Sequence, residues 1–252
     1  LRLGFLGYLF NFVSVGSVGG DLFKAIFVAR EQPGWRAEAV ASVLVDRIIG
    51  LYALLLITSG AMLLFDVSGA SPEVQAVCRT TITVTIIGGI GLAMAMVPSV
   101  TENRFVKSFT AFPVVGRIFS RLVEALATVR SRPKTLVQIA LISFAVHGFL
   151  LVGVMGITSA LFDHPPTILE QLIIIPLSNV ASALPFTPAG LGAFELAMDE
   201  LFKIVPANTD ASGGIVALAF RVSTIVVAGI GIVVYLYSKR EVQGVLTSDV
   251  ET

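Results

Sequence analysis

Charge is what this sequence has least of. Its 17 Lys and Arg and 17 Asp and Glu make up 13% of 252 residues, about half the share found in a typical soluble domain. That excludes an ordinary water-facing surface, and no nucleic-acid partner is expected. Cysteine is nearly absent as well. Cys78 stands alone, so there is no internal disulfide and no cysteine-rich metal site. It is expected in a loop, as an incidental thiol. Catalytic signatures are missing too: HExxH, GxSxG and Walker sequences do not occur, nor does a paired-aspartate metal motif in a plausible loop. After the last apolar run comes only SKREVQGVLTSDVET. The expectation is a protein that is not an enzyme and uses no metal or cofactor.

What the chain has instead is apolar length. Hydrophobic residues make up 55% and mean hydropathy is +0.90. Uninterrupted runs approach or exceed the roughly 18–20 residues that cross a bilayer. Open sheets leave backbone groups unsatisfied in lipid, and the alternation of a barrel strand is absent. The sequence therefore predicts an all-α, polytopic helical membrane protein. It begins inside an apolar segment, LRLGFLGYLF, without a signal-peptide pattern, and a fragment lacking upstream helices is expected.

Hydropathy and helix breakers divide the single transmembrane domain, 1–252, into six regions. Leu1–Ala29 is interrupted by GSVGGD. Ala39–Phe65 holds Asp46 and Arg47, and Thr80–Val97 is glycine-rich and closed by Pro98. Leu136–Phe162 carries His147, Ile168–Val205 is broken by LPFTPAGLGAFE, and Ile215–Tyr237 contains Arg221. The connector Ser99–Lys134 has Val115, Ile118, Phe119, Leu122, Leu126 and Val129 at helical spacing, with Arg117, Arg121 and Arg130 on other faces. That pattern predicts a basic amphipathic helix on the membrane surface.

Each broken region is too long for one span and suits two half-helices. If each re-enters on its own side, three full spans between them put the two on opposite faces. One side then holds Arg30, Arg36, Arg104, Lys107, Arg117, Arg121, Arg130, Arg132, Lys134, Lys239 and Arg240, and the other only Arg79 and Lys203. The first side is expected to be cytoplasmic, with the connector and the C-terminus.

The broken regions also share a spacing. Gly19, Gly20 and Asp21 precede Arg47 by 26 residues counted from the acid, and Gly190, Gly192 and Glu195 precede Arg221 by the same 26. This suggests two inverted repeats, residues 1–65 and 168–238, of the broken-helix kind that carries a substrate site near mid-membrane. Pro185 and Pro188 stop one helix. Gly190 and Gly192 let the chain turn, and a helix starting near Leu191 aims its free N–H groups into the membrane, where they attract an anion. GSVGGD does the same from the other face, with Asn11 beside it and Lys24 in its second half-helix. Ser178, Asn179 and Ser182 precede the later break and can satisfy freed backbone groups.

Arginine inside a span costs about 2.5–3.5 kcal/mol even on the lenient insertion scale. Asp21, Asp46 and Glu195 are the internal groups that can offset Arg47 and Arg221, and a lipid phosphate is the external one. Guanidinium matches phosphate with two parallel hydrogen bonds. A buried ion pair that only fixes packing is the competing reading. His147 can relay protons or pack as a hydrogen-bonded core histidine.

These motifs carry a resemblance. Asn11 with GGDLFKA, then VDRIIGLYALL, LPFTPAGLGAFELAM and ALAFRVSTIV, resemble the lysylphosphatidylglycerol synthase transmembrane-region family over nearly the whole chain. That family includes the membrane domain of MprF-type proteins, YbhN-like proteins and the membrane part of AglD-like glycosyltransferases. Ala189 stands where the family usually has Gly, and Asp46 where it commonly has Glu. The resemblance implies a multi-pass inner-membrane domain associated with lipid translocation. In MprF-type members a separate cytosolic domain makes the lipid, and no such domain is expected within these residues.

The expected function is binding of a phospholipid or another anionic lipid and its movement between leaflets. Arg47 and Arg221 would hold the phosphate. Asp21, Asp46 and Glu195 would organise the arginines or receive an aminoacyl amine, while Asn11, Gly19, Gly20, Pro188, Gly190 and Gly192 shape the half-helix ends. Two alternatives are a lipid-modifying enzyme, with His147 beside Glu195, and a membrane partner of a separate synthase or glycosyltransferase. A homo-oligomer is a further possibility.

Overall fold

The computed structural model describes residues 36–65, 69–97, 130, 133–183, 192–206 and 208–247; for residues 36–42, 234, 235 and 237–247 it describes the backbone only. The described residues form six helices and no strand: α1 (Arg36–Leu64), α2 (Pro72–Ala95), α3 (Pro133–Leu161), α4 (Ile168–Ala183), α5 (Ala193–Ile204) and α6 (Gly213–Thr247). Four contain segments long and apolar enough to cross a membrane: Val43–Leu64, Pro72–Ala95, Pro133–Leu161 and Gly213–Val233. Their outward faces carry Ile86, Ile87, Leu141, Phe149, Val222 and Val226 in exposed positions, as a lipid-facing surface requires.

Helix starts follow from local chemistry. Ser71 caps α2, its hydroxyl accepting from the Val74 N–H at 3.4 Å, with Pro72 in the first turn. This corrects the expectation for Cys78. The signal Ser-Pro-Glu starts the helix eight residues before Thr80, so Cys78 is a buried helical residue rather than a loop thiol. At α4, Thr167 and Glu170 form a capping box: the Glu170 carboxylate accepts from the Thr167 N–H at 2.7 Å, and the Thr167 hydroxyl accepts from the Glu170 N–H at 3.3 Å.

α4 and α5 pack on each other as a hairpin. At about 1.5 Å per residue they are about 24 and 18 Å long, and neither spans a hydrocarbon core of about 30 Å. The start of α4 and the chain after α5 are tied together. The His164 N–H donates to Asp210 Oδ1 at 3.0 Å, and the Thr209 hydroxyl donates to the His164 carbonyl at 2.7 Å. The chain thus goes in and comes out on one face, as expected for the later broken region. Pro176 interrupts α4. Just after it, the Ser178 hydroxyl and the Asn179 amide donate to the Ile174 and Ile175 carbonyls at 2.9 Å each.

The core gathers at that same face. Ala61 and Met62 of α1, Val74 and Cys78 of α2, Val154 of α3, Ile173–Ile175 of α4, Met198 and Phe202 of α5 and Val216 and Ala217 of α6 form one buried cluster. The end of α1, start of α2, end of α3, start of α4, end of α5 and start of α6 therefore share one membrane face, which we call the junction face. α1 and α2 are also joined by polar contacts. Ser59 and Thr85 hydroxyls lie 2.8 Å apart, and the Tyr52 ring lies over Gly88 and Gly89.

The first broken region and the amphipathic stretch Val115–Val129 lie outside the described residues.

Candidate functional site

The site grows from the inner end of α5. Gly192 precedes the helix with φ of 86°, a left-handed conformation that favours glycine. Its N–H donates to Glu195 Oε2 at 2.8 Å. Glu195 thus reaches back onto the end of its own helix, whose positive dipole end favours a carboxylate. The helix expected near Leu191 begins at Ala193, capped this way.

The other carboxylate oxygen faces α6. Glu195 Oε1 accepts from Arg221 Nε at 2.7 Å and lies 2.6 Å from Arg221 Nη2. The side chains are 20% and 17% exposed, so the charges meet largely out of water. The spacing of 26 residues between Glu195 and Arg221 marked a physical contact. Phe194 and Phe220, one residue before each partner, pack with ring centroids 5.5 Å apart and bring α5 against α6 beside the pair.

Depth follows from helix counting. Arg221 is eight residues beyond Gly213, and Glu195 nine before Ile204. Both lie about 12–14 Å below the junction face. The pair thus lies at the inner end of α5, within the apolar segment Gly213–Val233 of α6.

The structure does not bring Arg47 to this place. It is half-buried on α1, with an interaction of its own. From Arg47 to Leu64 is 17 residues, so it lies about 25 Å below the junction face. That is about 13 Å from the level of Arg221, too far for one phosphate group to touch both at once. Arg47 and Arg221 lie eleven and eight residues inside their helices, but the apolar segment of α1 begins only at Val43, four residues before Arg47. Asp46 is exposed on α1. His147 sits against Gly50 of α1, whereas Glu195 of α5 is paired with Arg221 of α6. Asn11, Gly19, Gly20, Asp21, Lys24, Pro188 and Gly190 lie outside the described residues.

One contributor was missed from sequence. Asp199 of α5 accepts from the Gly214 N–H at 3.2 Å and pairs with Lys203 at 2.7 Å. It holds the first turn of α6, and so the register of Arg221, against the hairpin. No local pattern marks it, because its partner lies 15 residues on. The Lys203 ammonium hydrogen-bonded to Asp199 holds its carboxyl below the usual carboxylate range. A depressed value contributes stability that is present above the unfolded value and lost as pH falls through the folded one. Protection of the Gly214 amide, its exchange rate compared with the intrinsic rate at the same pH, is accordingly expected to fall below about pH 4 and in Asp199→Asn at neutral pH. Unchanged protection in both cases would remove this anchoring role.

The fold and charge placement define a polytopic helical membrane protein in which α4 and α5, both too short to span, pack on each other and an ion pair joins the inner end of α5 to α6. The chain belongs to the lysylphosphatidylglycerol synthase TM region family, whose model matches residues 1–231. No curated protein and no solved structure matched it.

Proposed function

We propose that this protein binds the anionic headgroup of a phospholipid or a related lipid within the membrane and moves it between leaflets. The observation that carries the reading is the Glu195–Arg221 pair at the inner end of α5. A guanidinium and a helix N-terminus converge there on one carboxylate, and the same two donors suit a phosphate. Glu195 is the internal anion that a lipid phosphate would displace from Arg221. The freed carboxylate can then receive a headgroup amine. Membership of a family named for a lipid synthase supports a lipid as the substrate.

In this reading Asp21, Asp46 and Arg47 form the corresponding place in an inverted first repeat. A lipid would then meet the two arginines in succession, not together, given their different depths. The protein sits in the plasma (inner) membrane. Lys134 and the C-terminal Lys239 and Arg240 lie at the helix ends opposite the junction face, and the positive-inside rule makes that side cytoplasmic. No catalysis by this chain is proposed.

The test is lipid movement in proteoliposomes made with the full chain. Fluorescent phosphatidylglycerol and its aminoacylated form are followed with an external quencher. Movement well above protein-free vesicles is expected for at least one. A folded protein that moves neither would favour the alternative, a membrane partner of a separate lipid enzyme.

A further inference from the structure

The Glu195 carboxylate has two partners among the described residues. Oε1 takes Arg221 Nε at 2.7 Å and Nη2 at 2.6 Å, and Oε2 takes the Gly192 N–H at 2.8 Å. Guanidinium and carboxylate cancel, so the closed pair is neutral. Its surroundings are apolar. Leu196, beside Glu195, is exposed, and so are Leu218, Val222 and Ile225 around Arg221. Leu218 and Ile225 stand three residues before and four after Arg221, on its own face of α6. In a membrane that surface meets acyl chains, which do not solvate a bare charge.

Among the described residues, the other charged groups on these helices are engaged elsewhere. α4 and α6 pack on α5. The charged residue of α4 is Glu170, at the junction-face end and bonded to Thr167. The charged residue in the apolar segment of α6 is Arg221 itself. On α5, Asp199 follows Glu195 by one turn and holds the Gly214 N–H and Lys203, which also pairs with Glu200. His147 of α3 sits against Gly50 of α1.

A phosphate that takes Arg221 upsets this balance. The carboxylate then keeps the Gly192 N–H, and the helix end behind it supplies only about half a positive charge against a full negative one. A carboxylate stripped of its buried partner is strongly unfavourable. Such a group returns to neutrality by gaining a cation or a proton. A headgroup ammonium is a cation of the right kind. A headgroup without an amine leaves the proton.

We propose that Glu195 is a proton switch of the lipid site, taking up one proton when the bound phosphodiester carries no amine and none when it carries one. The switch rests on the reading of Arg221 as the phosphate ligand. In the step, phosphate oxygens accept the Nε and Nη2 hydrogen bonds of Arg221, and Glu195 Oε1 binds a proton from bulk water. Glu195 becomes a neutral acid while Oε2 goes on accepting from Gly192. When the lipid leaves, the proton returns to water and the ion pair closes. The charges sum to zero in every state. Guanidinium stands against carboxylate in the closed pair and against phosphate beside the neutral acid. With an amine bound, guanidinium and ammonium stand against phosphate and carboxylate.

The test is calorimetric titration of the full chain in micelles with short-chain phosphatidylglycerol and phosphatidylethanolamine. The two share a phosphodiester and differ in the amine, which stays protonated from about pH 5 to 8. Titration in two buffers of different ionisation enthalpy counts the protons taken up. The expected result is up to about one proton per phosphatidylglycerol and none per phosphatidylethanolamine. By linkage, affinity for phosphatidylglycerol should rise as pH falls, by up to about tenfold per unit, while that for phosphatidylethanolamine stays level. In Glu195→Gln the proton uptake should vanish. Phosphatidylglycerol binding without proton uptake, or with uptake unchanged in Glu195→Gln, overturns the switch and leaves the phosphate reading standing. Equal uptake with both lipids, or no binding of phosphatidylethanolamine, overturns the exchange of amine for proton. Phosphatidylglycerol binding that is absent, or that survives Arg221→Gln, overturns the phosphate reading and the switch together. Should Glu195→Gln fail to fold, the wild-type proton counts with the two lipids decide by themselves.

Discussion

Arg221→Gln is expected to abolish lipid movement and to lower stability by about 3–5 kcal/mol, the usual cost of removing one partner from a buried charge pair. The substitution leaves the Glu195 carboxylate about 13 Å inside the membrane with only the Gly192 N–H as a partner among the described residues. Adding Glu195→Gln removes that stranded charge. The new amide oxygen still accepts from Gly192, and the new NH2 faces the glutamine introduced on α6, so most of the lost stability should return. Movement should not return, because an amide offers phosphate neither the charge nor the paired donors of a guanidinium. The double variant therefore separates the two readings of the pair. Stability is read by denaturant titration in micelles and movement by the quenching assay. A double variant that moves lipid at the wild-type rate would make the pair a packing device.

Much of this was legible in the sequence, for identifiable reasons. Apolar length is a global constraint imposed by the bilayer, so four of the membrane helices were placed from hydropathy alone, with ends shifted by up to eight residues. The later break was readable because Pro and Gly act locally on the backbone. The Glu195–Arg221 contact was readable because two costly charges recurred at a spacing shared by two regions. Cys78 was misplaced for a local reason: the polar turn around Ser71 and Glu73 looks like a loop, yet Ser-Pro-Glu is a helix start. The capping box Thr167–Glu170 carried a signal that was not used. Other features were not readable at all. Asp199 holding Gly214, or His147 seated on Gly50, depend on which helices become neighbours. Helix packing in lipid is set by close approach and shape, and neither is a property of one segment.

Gly213→Ala is expected to be among the most damaging single-methyl changes in the protein, costing about 3 kcal/mol, at the upper end of ordinary overpacking. A Cβ at Gly213 would fall 2.7 Å from the Met198 carbonyl carbon and 2.9 Å from the Asp199 Cα. Both are backbone atoms of α5, so no rotamer change relieves the clash and one helix must move. Displacing the start of α6 loosens the Gly214–Asp199 hydrogen bond and lifts Val216 and Ala217 from the buried cluster. It also shifts Arg221, two turns further along, away from a carboxylate that it meets at 2.6 Å. Lipid movement should therefore fall together with stability. Gly229→Ala, in the same helix, is the control. A Cβ there meets nothing within 4 Å, and alanine gains about 0.5–1 kcal/mol over glycine inside a helix. The same methyl group should thus destabilise at one position and be neutral or stabilising at the other. Equal unfolding midpoints for the two variants would show that α6 does not dock on α5 through Gly213, and would detach Arg221 from the hairpin tip on which the site depends.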